Sequence, residues 1–379
     1  MAISSDYNIV VVGMGHIGGP YLLPGYKMLL GDKVKTNVFG IKATDKDLDK
    51  LRQTFPFSIT VNNTLEVLRK THPDIVIMSP PPKQIPIIMR ETLLPYFNEA
   101  REQGIQLPDI YTYGPSPSPT MYYEVLGSDI NCCKFLPSMA EEFKGVPLQE
   151  IGASFLCFDP DHPFPEDRKQ RAVAFSDLTG RTFITTHKES LLGLTSKNTS
   201  RTCFEISYAV SDALSERGIT VSTAQIGGAL RAGFRVHVGL EGEGLYKSSL
   251  EDVPENMRAF LAKLAGAWFD GILRYLISED CDPVLAKNFH STNFDAFTLI
   301  INLATREELV IKTIEHATKG GTNEKAINTI MTYFYEQLKQ AVNQNLDGTL
   351  PESFFDTAEG MAYTVNLTTN RHSHRLANS

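Results

Sequence analysis

The feature that most constrains this chain is a glycine turn set directly after a strand-like run near its start. Asn8-Ile9-Val10-Val11-Val12 is short, β-branched and uninterrupted, the pattern of a strand covered on both faces of a parallel sheet. It runs into Gly13-Met14-Gly15-His16-Ile17-Gly18. A strand, this glycine spacing and a following helix together form a dinucleotide fingerprint. The first glycine permits the tight turn, the second lets a pyrophosphate reach the main chain, and the third lets helix and strand pack closely. The helix start adds free N–H groups and a partial positive charge. Cofactor contacts are therefore expected at Gly13, Gly15, His16, Ile17 and Gly18. Pro20 suits the first turn of the helix, whereas Pro24 bends or delays it.

Further along, apolar runs and helical spacings alternate. Asn37-Val38-Phe39-Gly40-Ile41 precedes a helix face made by Leu48 and Leu51, and Ser58-Ile59-Thr60-Val61 precedes one made by Leu65, Val67 and Leu68. Asp74-Ile75-Val76-Ile77-Met78-Ser79 reads as a central strand and ends at Pro80-Pro81-Pro82, which cannot continue a sheet. Residues 110–113, 132–136 and 153–157 extend the series, and 159–165, with three prolines, must be a loop. Strands separated by helices imply right-handed crossovers and a doubly wound sheet. From about Thr186 the prolines thin out, and 191–217, 257–278, 293–318 and 324–345 carry helical spacing. The expectation is an α/β Rossmann domain over 1–186, an all-helical C-terminal domain over 187–370, and a polar, frayed tail over 371–379.

Length and composition agree. At 379 residues the chain exceeds one small core, and 42% apolar with 21% charged residues is ordinary globular composition. A net charge of −8 argues against nucleic-acid binding, which needs basic surface. No apolar run is long enough for a membrane span, and the first residues lack the order of a signal peptide, so a cytoplasmic location is expected. The five cysteines form no CxxC pair, which reads as reduced, buried thiols and gives no metal site.

The end of the second strand normally selects the cofactor. An acidic residue there favours NAD, whereas cationic and hydroxyl groups suit the extra phosphate of NADP. Here Ile41-Lys42-Ala43-Thr44-Asp45 offers Lys42 and Thr44, so NADP is expected, with NAD possible through Asp45. Asp45 reads more simply as the N-cap of a helix beginning near Lys46. Ser79 and Pro80 leave the carboxyl end of the fourth strand, where ligands collect in such sheets, and are expected to wall the cofactor cleft.

The order of these segments resembles pyrroline-5-carboxylate reductase, and more widely the 6-phosphogluconate dehydrogenase-like and β-hydroxyacid dehydrogenase group. Val76 to Gln84 is similar to that family's apolar strand followed by Lys-Pro-Gln. Cys133-Lys134-Phe135-Leu136-Pro137-Ser138 resembles its Arg-x-Met-Pro-Asn, and Ala213-Leu214-Ser215-Glu216-Arg217-Gly218-Ile219 its Ala-Leu-Ala-Asp-Ala-Gly-Val. Ala317-Thr318-Lys319-Gly320-Gly321-Thr322-Asn323 resembles its Ser-Pro-Gly-Gly-Thr-Thr turn. The resemblance implies an NADP-dependent reductase of a C=N or C=O bond in a small carboxylate-bearing substrate, working as a homodimer through the helical domain. It implies that Gly320, Gly321 and Thr322 hold the carboxylate, Thr322 in a catalytic place, with Ser138 beside the nicotinamide. The chain departs from the family where Ser-Gly-Ser-Gly-Pro should stand, having Ser200-Arg201-Thr202-Cys203-Phe204 instead, and about fifty extra residues separate the two helical landmarks.

Gly193-Leu194-Thr195-Ser196-Lys197-Asn198 also resembles the Gly-x-x-x-Lys segment of the β-hydroxyacid dehydrogenases, in which the lysine protonates the substrate oxygen. That makes Lys197 a candidate general acid. On a helix Lys197, Ser200, Arg201 and Phe204 share a face, with Ser200 and Arg201 as substrate contacts, while Asn198 falls on another. Arg231, Arg235 and His237 form a second cluster that could bind an acidic group or simply lie on a surface face; residues 290–293 and His316 are weaker candidates. Two other readings compete. One is a β-hydroxyacid or 2-oxoacid reductase using Lys197 as acid; the other is a non-catalytic nucleotide-binding scaffold.

Overall fold

The computed structural model describes residues 6–114, 116–138, 143–240, 250, 252–316 and 320–377. The chain divides into two compact units, one ending at Leu191 and the next beginning at Leu192.

The first unit is built on a sheet of β1 (Ile9–Val12), β2 (Val38–Lys42), β3 (Ser58–Val61), β4 (Ile75–Met78), β5 (Asp109–Tyr113), β6 (Asn131–Pro137), β7 (Ala153–Phe158) and β8 (Arg181–Thr185). The described strands lie in the order β3-β2-β1-β4-β5-β6-β7-β8. Its helices are α1 (Leu23–Leu30), α2 (Val34–Asn37), α3 (Leu48–Thr54), α4 (Thr64–Thr71), α5 (Ile85–Ile88), α6 (Leu94–Glu102), α7 (Pro119–Leu126), α8 (Leu148–Ile151) and α9 (Glu166–Asp177). Strands β1 to β6 run parallel, in register from Ile9 opposite Val38 and Ile75. This is the doubly wound α/β order, whose direction reverses beside β1. Alternate residues of β1 serve two cores. Ile9 and Val11 join Tyr26 and Phe175, whereas Val10 and Val12 join Leu68 and Phe97. A buried central strand needs apolar residues at every position for this reason.

Two features depart from the sequence reading. The short strand β8 lay within a stretch that carried no strand expectation. In addition, β7 is antiparallel to β6 and β8 follows β7, so the far edge of the sheet is mixed rather than wholly parallel. The reversal is tied at Ser138. Its amide donates to Ala153 O at 2.7 Å, and its hydroxyl accepts the Ala153 amide at 2.8 Å.

Buried Asp109, at the start of β5, receives Arg168 and Arg171 from α9 and so anchors that helix to the sheet. All five cysteines are buried and unbridged. Among the described residues, no helix is long and apolar enough to cross a membrane.

The second unit is helical: α10 (His187–Arg201, which starts before the boundary), α11 (Cys203–Glu216), α12 (Thr223–Val238), α13 (Glu255–Ser278), α14 (Pro283–Leu303), α15 (Arg306–His316), α16 (Thr322–Tyr333), α17 (Tyr335–Leu346) and α18 (Ser353–Ala377). Helix α13 carries fully buried Trp268 and packs on α12, α14 and α18. Of the four long segments expected from spacing, 257–278 lies within unbroken α13, and the other three are each broken once, at 202, at 304–305 and at Phe334. At 202 the Thr202 hydroxyl bonds the Thr199 carbonyl, a side-chain bond that competes with the helix ladder. At 305 a reciprocal Thr305–Glu308 pair caps a new helix start. At the C-terminus α18 continues through Ala377, so 371–377, the described part of the tail, are helical; His372 meets the Gly320 carbonyl at 2.8 Å.

Candidate functional site

The glycine turn lies at the carboxyl end of β1. Gly13 has φ of 101°, a conformation that favours glycine, and its N–H donates to Ile41 O at 3.0 Å. A Cβ on Gly18 would stand 2.4 Å from Gly13 O and 2.5 Å from Ser79 Oγ, so only glycine fits. Gly15 differs: a Cβ there would meet nothing within 4 Å. Gly13 and Gly18 are therefore required by packing, while Gly15 leaves space beside the main chain. After the turn, Tyr21 N and Leu22 N reach back five residues to His16 and Ile17. The wide first turn holds Pro20, and α1 restarts with Pro24 in its first turn, which is the delay expected of that proline.

This turn forms one wall of a cleft of about 380 Å³, within the usual range for small-molecule sites. Gly13, Gly15, Ser79 and Pro80 line one part of it, and Lys42 and Thr44 another. His16 is exposed, and neither it nor Ile17 lines the cleft. Ser79 braces the turn by donating to Gly13 O at 2.8 Å. The Lys42 ammonium folds back onto the Lys46 carbonyl.

Asp45 is exposed, lies outside the lining, and is not a cap. Helix α3 starts at Leu48 behind Asp47, and Asp45 supplies only a carbonyl to Leu48 N at 3.0 Å. The sequence reading missed Asn62 and Thr64, which follow β3, and Gln84, Ile87 and Glu91, which follow β4; all line the cleft. Asn62 sits at φ of 51° with its amide on Lys42 O, so a left-handed Asn after a strand was the available signal. Open space at Gly15, the helix start and the Lys42–Thr44 end suit a dinucleotide phosphate and ribose.

In the second unit a polar corner forms where α10 meets α15 and the start of α16. Asn198, buried in α10, donates from Nδ2 to Thr322 Oγ1 at 2.9 Å. This contact brings the Lys197 segment to the Gly321-Thr322 turn, 124 residues away in sequence. Lys197 is half-buried and, among the described residues, makes no ion pair or hydrogen bond. Burial, then the nearby Arg201, lower its pKa to about 8. Arg201 is buried, donates to Thr313 of α15, stacks 5.0 Å over Phe204 and stands 3.8 Å from Glu205. Burial raises Glu205 to about 7 despite that neighbour.

Gly321 is the N-cap of α16. The Gly320 amide already holds the Glu324 carboxylate, which places an anion where the sequence reading put the substrate carboxylate. Residues 317–319 and the side chain of His316 lie outside the described residues.

Other candidates are placed elsewhere. Ser200 faces α14, donating to Ser196 O at 2.9 Å with its oxygen 3.5 Å from His290 Nδ1, so it does not share the Arg201 surroundings. Ser138 is 1% exposed and committed to the β6–β7 junction rather than to a substrate surface. Arg231 and Arg235 both meet Asp295, and His237 meets Asp270, so these groups pin α12 to α14 and α13. His290 is buried against Phe269, ring centroids 4.4 Å apart, and burial lowers its pKa to about 3; it is a neutral packing residue.

No family model and no curated protein matches the sequence. Solved structures similar to it include a pyrroline-5-carboxylate reductase from Coxiella burnetii, at 12% identity, covering 94% of this chain and 98% of that one with a TM-score of 0.43. A pyrroline carboxylate reductase from Plasmodium falciparum, solved with NADP bound, has 12% identity, 94% and 99% coverage and a TM-score of 0.37. A prephenate dehydrogenase from A. aeolicus, solved with hydroxyphenyl propionate and NAD+, has 13% identity, 90% and 98% coverage and a TM-score of 0.38.

Proposed function

We propose that the protein is an NADP-dependent oxidoreductase that reduces a C=N or C=O bond in a small substrate bearing a carboxylate. The observation that carries this reading is the cleft at the glycine turn, where Gly15 leaves open the approach to the main chain and Lys42 and Thr44 stand in the same lining. When bound, NADPH would supply the hydride. The chain's own part is to hold and orient. Gly13, Gly15 and the N–H groups at the start of the following helix receive the pyrophosphate. Lys42, released from the Lys46 carbonyl, and Thr44 receive the ribose phosphate.

On the second unit, Thr322 and the α16 amides from Gly321 onward hold the substrate carboxylate, with Gly320 retained by Glu324. Lys197 has no competing partner among the described residues and a pKa near 8, so it donates the proton that a carbonyl oxygen needs on reduction. This last point favours a 2-oxo acid as the second reading, since a protonated cyclic imine needs no such donor. Val310, Ile311 and Ile314 expose apolar side chains on α15 and suit a homodimer through the helical unit.

The test is direct. Purified protein with NADPH is offered Δ1-pyrroline-5-carboxylate and a series of 2-oxo acids, and absorbance at the nicotinamide band is followed. Turnover of either class supports the reading and chooses between its two forms. Saturable NADPH binding with turnover of neither would favour the nucleotide-binding scaffold.

A further inference from the structure

We propose that Asn198 is a positioning residue that fixes the polarity of the Thr322 hydroxyl, so that this hydroxyl offers its proton to an anionic substrate oxygen. The inference rests on the reading of the α16 start as the carboxylate site and adds a residue to it. The Asn198 amide nitrogen has only protons to give, and it gives one to Thr322 Oγ1 at 2.9 Å. At that contact Thr322 must accept.

A hydroxyl carries one proton and two lone pairs. With a lone pair taken by Asn198, its proton points to some other acceptor, and the described residues supply none. Threonines deeper in these helices spend that proton on the carbonyl four residues back, as Thr313 does on Leu309 O and Thr329 on Lys325 O, both at 2.8 Å. Thr322 is the first residue of α16, behind the N-cap Gly321, and no described helical residue stands four positions before it. Asn198 is 5% exposed whereas Thr322 is half-buried, so the hydroxyl is gripped from its more buried side. The proton is thus presented beside the α16 amides from Gly321 onward, while the Gly320 amide is taken by Glu324.

An aspartate at 198 would invert this arrangement. It has nearly the same shape, but it accepts the Thr322 proton and leaves the hydroxyl only lone pairs to show the substrate. The experiment compares wild type, Asn198→Asp, Asn198→Ala, Thr322→Val and Asn198→Asp/Thr322→Val, using whichever probe, Δ1-pyrroline-5-carboxylate or a 2-oxo acid, the wild type reduces with NADPH.

A hydrogen bond to a charged group supports an expected rise in substrate KM of about tenfold to a hundredfold for Asn198→Asp. The KM for NADPH and kcat should stay within a few-fold, and the double variant should be no worse than Thr322→Val alone. An unchanged substrate KM in Asn198→Asp, or fully additive effects, overturns the proposal. If the wild type reduces neither probe, the functional reading has failed separately. Thermal melts of Asn198→Ala, Thr322→Val and their combination then decide the hydrogen bond itself: non-additive shifts support it, and additive shifts overturn it.

Discussion

Replacing Gly15 by alanine separates the cofactor cleft from the fold that carries it. A Cβ at Gly15 would meet no atom within 4 Å, and the residue is not among the glycines held at positive φ. The substitution therefore creates no clash and no backbone strain. Glycine to alanine at a compatible position stabilises by roughly 0.4–1 kcal/mol through the unfolded chain, so the melting temperature should hold or rise slightly. The same methyl group enters the space through which a phosphate oxygen must come to about 2.9 Å from a main-chain N–H. We expect NADPH affinity to fall at least tenfold, equivalent to about 1.4 kcal/mol.

Gly18→Ala is the opposite control. Its Cβ would stand 2.4 Å from Gly13 O and 2.5 Å from Ser79 Oγ. Overpacking of this kind costs roughly 1–3 kcal/mol, which for a unit of this size lowers melting by about 2–4 °C per kcal/mol. Calorimetric titration of NADPH and thermal melts of the three proteins read both quantities. Undiminished NADPH binding by Gly15→Ala would refute the reasoning, and so would a melting loss in Gly15→Ala equal to that of Gly18→Ala.

Other predictions address separate parts of the account. Lys42→Glu should weaken NADPH binding by about tenfold to a hundredfold while leaving NADH nearly unchanged, because only the former carries the extra phosphate; paired titrations check this. With a 2-oxo acid, kcat/KM should fall as pH rises through about 8, where Lys197 loses its proton. Lys197→Arg should remove that inflection, and a pH–rate profile that keeps it assigns the proton to another group. Glu205 is raised to about 7 from an ordinary value of 4.5, so the folded state binds more protons than the unfolded state between those values. Its stabilising effect is complete below about 4.5 and is lost as pH rises through about 7. The melting advantage of Glu205→Gln over wild type should accordingly grow from pH 5 to pH 8. Asp109→Ala should destabilise the first unit by about 3–5 kcal/mol, since it strands two arginines at a buried position, which denaturant melts would measure.

The sequence was most legible where local pattern and final environment coincide. Strands β1 and β4 are buried at every position, and continuous β-branched runs serve no other purpose as well. The glycine turn was legible for the same reason, because Gly13 and Gly18 answer to atoms only a few ångströms away. Direction was harder. β7 pairs antiparallel with β6, and spacing along β7 does not encode strand direction. β8 escaped notice because only Phe183 and Thr185 of its five residues are buried.

In the helical unit, helix faces alone misled. Asn198 lies off the Lys197 face, yet that other face meets Thr322. Spacing puts Ser200 and Arg201 on one face, although one turns to His290 and the other to Thr313. Which neighbour a helix face meets depends on tertiary packing, and spacing along one helix does not carry it.

The central claim is that the cleft at Gly13-Met14-Gly15 takes NADP. Calorimetric titration of the wild-type protein with NADPH and, separately, NADH tests it most directly. The account predicts one saturable site per chain with NADPH bound at least tenfold more tightly than NADH. Absence of saturable binding by either nucleotide would contradict it.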